Sequence, residues 1–395
     1  MIVYQKTELE HLQILQETQQ ARQTGLLTAE EQQSIKQKYM ALLYSPGVFT
    51  RIGLFILTCI ISSAGSGMLA LFLMEAHLLD SPAWVFFTAA AFYVALELMT
   101  RQSKHYKSGV DDALILIVTG TFLTALYWAV FENMHLGDVS GILLISALMF
   151  ALCLYLTLRF SDMLMAAGSL IALLVFIFFM VYHAGRIGAM ILPFVMILCT
   201  ALIYFLLLRL ELKLKAWYYE NALIVAQIVV LIALYLSGNY FVVRSLNEAL
   251  HHSAGVEPVV LPFGWFFWLW TICIPLLYIA YGLKRKNVVL LRTGLILVAA
   301  AAFTIRNYFH LMSMEALLCV AGAVLIAVAY AAIRYFKVPK HGITYEQTDE
   351  QHLMDHMRVE ALIVAETFSQ TPGPVADNTK FGGGDFGGGG ASGNF

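Results

Sequence analysis

Charge is what this chain is short of. Asp, Glu, Lys and Arg make up 13% of its 395 residues and hydrophobic residues 60%, against about 25% and roughly 45–50% in soluble domains. So few charges cannot coat a soluble globule of this length, and the mean hydropathy of +0.74 points to lipid as the solvent. Cysteine is scarce too. Cys59, Cys153, Cys199, Cys273 and Cys319 each fall inside an apolar run, are odd in number and lack CxxC spacing. They frame neither disulfides nor a zinc site and read as small packing residues. The net charge of −2 comes with no basic face, so nucleic acid is not an expected partner. No catalytic, metal or nucleotide motif stands out, and no cofactor is expected. The opening MIVYQKTELEHLQ has no basic region ahead of an apolar core, so no cleaved signal peptide is expected.

What the chain has is ten long apolar runs, near 52–74, 83–99, 113–131, 140–158, 163–182, 188–208, 221–241, 261–283, 288–305 and 314–335. A hydrocarbon core of about 30 Å needs about 20 apolar residues, so each run can span. Basic residues gather at alternate ends. Lys36, Lys38, Arg51, Arg101, Lys104, Lys107, Arg159, Arg209, Lys213, Lys215, Lys284, Arg285, Lys286, Arg334, Lys337 and Lys340 flank one side, and only Arg186, Arg244 and Arg306 the other. Positive residues mark the cytoplasmic face. The expectation is an all-α polytopic bundle of about ten transmembrane helices with both termini cytoplasmic, in the inner (plasma) membrane of a bacterium. Trp84, Trp217, Tyr218, Tyr219, Trp265 and Trp268 near span ends form an aromatic belt. Pro193 and Pro275 are placed to kink spans six and eight. Small residues, Ser62–Gly67 in span one and Ala321, Gly322, Ala323, Ala327 and Ala331 in span ten, suit close helix packing.

Residues 1–50 read as a cytoplasmic helical hairpin. A polar helix over 8–24 ends at Gly25, and Thr28-Ala29-Glu30-Glu31 fits a capping box that starts a second helix running to about Tyr39. Ser45-Pro46-Gly47 breaks it before the bundle, 51–336. Past the bundle, 337–370 is a cytoplasmic tail in which Leu353, Met357, Ala361, Val364 and Phe368 recur at helical spacing, predicting an amphipathic helix. Residues 371–395 are rich in Gly and Phe and are expected to be disordered. A short helix around 246–251 is expected in the long connection 237–261. Asp111, Asp112, Asp162, Asn221 and Asn287 stand where spans begin, and their side-chain oxygens are expected to cap helix N–H groups.

Ionisable groups deep in a bilayer are costly and usually functional, and here they are few. Glu97, with Arg101 four residues on, reads as a helix-surface ion pair. Arg292, a turn and a half inside span nine, reads as snorkelling to the interface. Gln227 is the clearest polar residue within a span and reads as an inter-helix hydrogen bond. The lack of a mid-membrane acid or Lys weighs against an ion-coupled pump. On the external side His77, His135, His183, His251, His252 and His310 lie among Glu75, Asp80, Glu132, Asp138, Glu248, Glu257 and Glu315, with Arg306 beside His310. Imidazoles and carboxylates could share a metal or titrate with external pH, but no fixed ligand spacing is present.

Four segments carry a family likeness: Gly25-Leu26-Leu27-Thr28-Ala29-Glu30-Glu31, Phe49-Thr50-Arg51-Ile52-Gly53, Arg292-Thr293-Gly294 and Arg306-Asn307-Tyr308-Phe309-His310. In them the chain resembles a family of bacterial polytopic membrane proteins, defined only as a domain of unknown function, that open with a soluble helical segment ahead of many spans. The glycine–phenylalanine tail is similar to the C-termini of some bacterial envelope proteins with a TPM-type domain, a domain absent here. The resemblance implies an architecture and brings no activity. The expected role is therefore a non-enzymatic envelope scaffold, sensor or accessory protein. Its expected partners are the lipid bilayer and a cytoplasmic or membrane protein reached through the termini. A permease for a neutral or lipid-like solute is the alternative, and a membrane-embedded enzyme using the external His and acidic residues a third.

Overall fold

The computed structural model describes residues 2–309 apart from 24, 41, 75–78, 80, 215–216 and 254–262, and beyond them only 319, 322, 323, 326, 330 and 334. The chain divides into two units, 1–355 and 356–395, and everything described belongs to the first. Twelve α-helices are described: α1 (Lys6–Gln23), α2 (Ala29–Lys38), α3 (Val48–Leu73), α4 (Pro82–Arg101), α5 (Val110–Tyr127), α6 (Asp138–Phe160), α7 (Met163–Tyr182), α8 (Gly185–Leu214), α9 (Glu220–Gly238), α10 (Tyr240–Ser253), α11 (Gly264–Arg285) and α12 (Val288–Phe309). A π-helical turn, Trp128–Asn133, prolongs α5. Among the described residues there is no strand, only a parallel bridge between Tyr44 and His105.

Nine of these helices, α3 to α9 with α11 and α12, are long and apolar enough to cross a membrane. The protein is an all-α, multi-pass membrane protein. The tenth expected span, 314–335, lies mostly outside the described residues, as do the amphipathic tail helix and the Gly/Phe-rich end. The helix expected over 246–251 is longer than sequence suggested. It is α10, and it starts directly after α9 because Asn239 turns the chain there, its Oδ1 accepting from the N–H groups of Phe241 and Val242. Pro193 and Pro275 sit inside α8 and α11 without breaking either.

Local chemistry explains the boundaries. Thr28 and Glu31 form the reciprocal capping box that starts α2. Gly25, at φ +77°, closes α1 as its N–H reaches Arg22 O; a side chain is disfavoured at that dihedral. Ser81 caps α4 with Pro82 in its first turn, and Asp162 caps α7 through Met165 N. Asn287 caps α12 through Leu290 N.

The bundle has two large buried clusters and a smaller third, made by Leu170 of α7, Leu207 of α8 and Ala226 and Val230 of α9. Of the large ones, one joins Leu96 of α4, Leu114 of α5, Leu156 and Phe160 of α6 and Met165 of α7 to Tyr4 and Leu9 of the N-terminal segment. The hairpin is thus continuous with the bundle through a shared core. The other joins Ile224, Leu231 and Tyr235 of α9 to Tyr278 of α11 and Leu297 of α12. Half of the most apolar stretch of α9 is buried, and none of that of α3. Among the described residues a Cβ built on Gly65 or Gly67 meets nothing within 4 Å, and of Ser62–Gly67 Ser62 alone is as little as 9% exposed. Close approach falls between α11 and α12 instead. A Cβ on Gly282 would lie 2.8 Å from Leu291 N, and one on Gly294 2.9 Å from Ile279 Cγ1. That contact gives the Arg292-Thr293-Gly294 segment its physical meaning.

Candidate functional site: a polar clasp at the basic end

The polar side chains nearest to forming a site lie at the basic end of the bundle, where α3, α5 and α7 begin and α4 and α6 end. Two pieces of chain clip onto that end. Val3 N donates to Arg159 O at 2.9 Å, placing Tyr4 edge-on against Tyr106 with ring centroids 4.9 Å apart. The segment before α3 bonds to the α4–α5 loop through Tyr44 N to Lys104 O at 2.9 Å and Tyr106 N to Tyr44 O at 3.1 Å. Glu8 of α1 accepts from Leu42 N at 2.8 Å, so the two pieces also hold each other.

Beneath Tyr4 lies a compact ionic group. Arg51 of α3 grips Asp112 of α5 with Nε and Nη2, both at 2.7 Å. Asp111 turns back into the loop rather than forward into its helix, accepting from Lys107 N, Ser108 N and Ser108 Oγ at 2.7–2.9 Å. This differs from the capping expected of it, because the loop backbone offers donors that the buried carboxylate must use. Gly109, at φ +92°, lets the loop pass Arg51: a Cβ there would lie 2.0 Å from Arg51 O. The cavity among Tyr4, Arg51, Lys107, Asp111, Asp112 and Asp162 is about 10 Å³, room for about one water. Burial first and the nearby Asp111 second push the Tyr4 phenol well up and that of Tyr106 up to about 12. Burial, then Arg51, lowers Lys107. Burial raises Asp162 against the opposing bond from Met165 N. The arrangement can hold the N-terminal segment and one small polar guest. A substrate does not fit in it.

Beside this cluster, Glu97 Oε1 takes Arg101 at 2.7 Å and also Arg159 of α6. The expected i,i+4 pair is present, but the partner that ties two spans together is Arg159, which in sequence counts only as a flanking charge. Ser161 Oγ donates to Tyr218 O, and Tyr219 OH to Leu158 O at 2.6 Å, fastening the start of α9 to the end of α6.

The other sequence candidates are dispersed. Gln227, buried in α9, donates to Glu211 Oε2 of α8 at 2.7 Å. Arg292 is half-buried in the second turn of α12 and Arg306 half-buried in its last turn. His183 is exposed as the residue that closes α7. His310 lies outside the described residues, with His77, Glu75, Asp80, Glu257 and Glu315. Among the described residues no three His, Cys, Asp or Glu side chains come together as metal ligands.

At the opposite end, sequence reading missed an uncharged network. Asn239 Nδ2 donates to Tyr235 OH at 2.8 Å and to Thr304 Oγ1 at 3.0 Å, and Thr271 Oγ1 accepts from Tyr240 N at 3.0 Å. Outside it, Tyr240 stacks on Trp268 with centroids 4.7 Å apart, and Arg244 lies over the Tyr308 ring. Asparagine and threonine at span ends have no pattern that separates this network from ordinary capping.

Comparison with protein-family models, with curated proteins and with solved structures finds no match to this chain. The fold and the clasp are what bear on its role.

Proposed function

We propose that this is a non-enzymatic protein of the bacterial inner membrane, a scaffold, sensor or accessory of an envelope process. In this reading both termini are cytoplasmic and the basic end is the working face. The observation that carries it is the sharing of one core by the hairpin and the bundle through Tyr4 and Leu9. A partner that moves the hairpin must move the ends of α4, α5 and α6 with it. Leu26, Met40 and Leu42, in the hairpin and the segment after it, are 79%, 66% and 61% exposed. Outside the spans, exposed large apolar side chains suit a protein contact. The alternating basic residues support the orientation, and the nine long apolar helices support a place in a membrane.

Cysteine labelling tests the orientation. Cysteines placed at Ser103 and Ser253 in a background lacking the native five should react from opposite sides, Ser103 from the cytoplasm. Labelling of Ser103 from outside overturns the proposal. The role is tested by site-specific cross-linking from Leu26 and Leu42 in cells: one discrete protein adduct at both positions is expected, and adducts to lipid alone count against a scaffold.

A further inference from the structure

We propose that the chamber between α7, α8 and α9 is a binding site for one acyl chain of a bilayer glycerophospholipid, entered sideways from the leaflet opposite the basic end. The chamber holds about 410 Å³ and is lined by Leu174, Phe178 and Phe179 of α7, Met196 of α8, and Ile232 and Ala233 of α9, among other apolar residues. Every lining residue is apolar, so water gains no partners there and an apolar cavity stays dry. Left empty, its walls forfeit their dispersion contacts. The chemistry that fills it is hydrocarbon.

Its position selects the source. All three helices are membrane-spanning. The α7 lining runs from Ile171 to Phe179, eight residues or about 12 Å at 1.5 Å per residue. That depth is close to the half-thickness, about 15 Å, of a hydrocarbon core of about 30 Å. It begins one turn below His183, where α7 ends. The deep end of the chamber, at Ile171, lies twelve residues or about 18 Å below His183, so a chain hanging from a headgroup at that interface fills it down to about the midplane.

The route in is lateral. At the far end α8 abuts α7: a Cβ on Gly188 would lie 2.0 Å from Val181 O. At the basic end Gln227 of α9 bonds to Glu211 of α8. Between these closures Ile171 and Leu236, on the side open to lipid, are 54% and 40% exposed, whereas Leu174 on the inner wall is 9% exposed. The proposal is independent of the scaffold reading and rests only on the membrane-spanning fold.

The test uses the full chain in vesicles of phosphatidylethanolamine and phosphatidylglycerol doped with a phosphatidylcholine carrying a diazirine in its acyl chain. After photolysis, labelled residues are mapped by mass spectrometry. Label several-fold enriched at Leu174, Met196 and Ile232 over Leu198 and Ile296, which are exposed on lipid-facing surfaces at 69% and 61%, is the expected result. Ala233→Phe should abolish the enrichment while leaving Leu198 and Ile296 labelled as before. Should Ala233→Phe fail to fold, Val175→Trp fills the same space from α7 and should give the same loss. Equal labelling at all five positions means annular lipid only and overturns the site. Absence of label from Leu174 and Ile232, the result if residues 314–335 or a second copy cover the mouth, also overturns it. So does labelling there by a diazirine fatty acid but not by the phospholipid.

Discussion

The two ends of the bundle solve the same problem with different chemistry. At the basic end polar groups are charged: Arg51 with Asp112, Glu97 with Arg101 and Arg159, Asp111 held by loop amides. At the other end Asn239, Tyr235, Thr304 and Thr271 are uncharged and each 0–2% exposed. Three of these charged side chains keep some contact with the surface, 37% for Arg51, 18% for Glu97 and 17% for Arg159, while Asp111, 3% exposed, is held by three hydrogen-bond donors. Desolvating an ion pair fully costs more than the pair commonly returns, whereas matched amides and hydroxyls need only their hydrogen bonds. The difference teaches where each kind of polar group is tolerated: charge at the rim, or wrapped in donors as at Asp111, and neutral donors and acceptors where burial is complete.

The sharpest way to break this comparison is at the peg that covers the charged end. Tyr4→Ala removes a ring buried in the shared core and should cost about 3–5 kcal/mol, the range for buried aromatic truncation. A fall in thermal unfolding temperature together with new protease cleavage within α1 is the expected readout. Glu97→Ala comes next. It strips Arg159 of a counter-charge in a mostly buried setting, for which about 3 kcal/mol is expected, and Glu97→Gln should recover part of it. Asn239→Ala should cost less, about 1–2 kcal/mol. Equal losses at Glu97 and Asn239 in denaturation measurements would erase the distinction between the two ends.

The smallest effect concerns Asp162. Burial raises its pKa above the ordinary aspartate value of 3.8, so the folded protein binds this proton more tightly than the unfolded chain. The resulting stabilisation is present below that value and is lost as pH rises through the raised one. Asp162→Asn keeps the cap on Met165 N and cannot ionise. Its thermal stability should match or exceed that of the parent at neutral pH and vary less between acid and neutral pH. A steeper acid dependence in the variant would show that burial does not dominate at this carboxylate.

Much of the architecture was legible in the sequence because spans obey a length rule and caps a spacing rule. Thr28 with Glu31, Gly25, and Asp162 all do what their positions imply. The span limits 163–182 match α7, whereas α8 overruns its apolar run by several residues at its C-terminal end, through Glu211. Glu211 is tolerated there because Gln227 donates to it. The clasp was not legible, since Tyr4, Arg51 and Asp112 are brought together by contacts across 47 to 108 residues that no local pattern encodes. Arg51 and Arg159 read as flanking charges, and only the folded arrangement shows that each closes an inter-helix pair. The chamber was illegible for a related reason: a leucine or phenylalanine facing a cavity is the same letter as one facing lipid.

The bond from Val3 to Arg159 also sets an order of events. Val3 finds its acceptor only once Arg159, 156 residues further along the chain, has been made. At about 5–20 residues per second that wait is about 8–30 s. Through it Ile2, Val3 and Tyr4 have no core to enter, and the first span sits in lipid with none of its later neighbours. The segment before α1 is therefore left uncovered during synthesis and covered afterwards, so its capture reports that α3 to α6 have been completed.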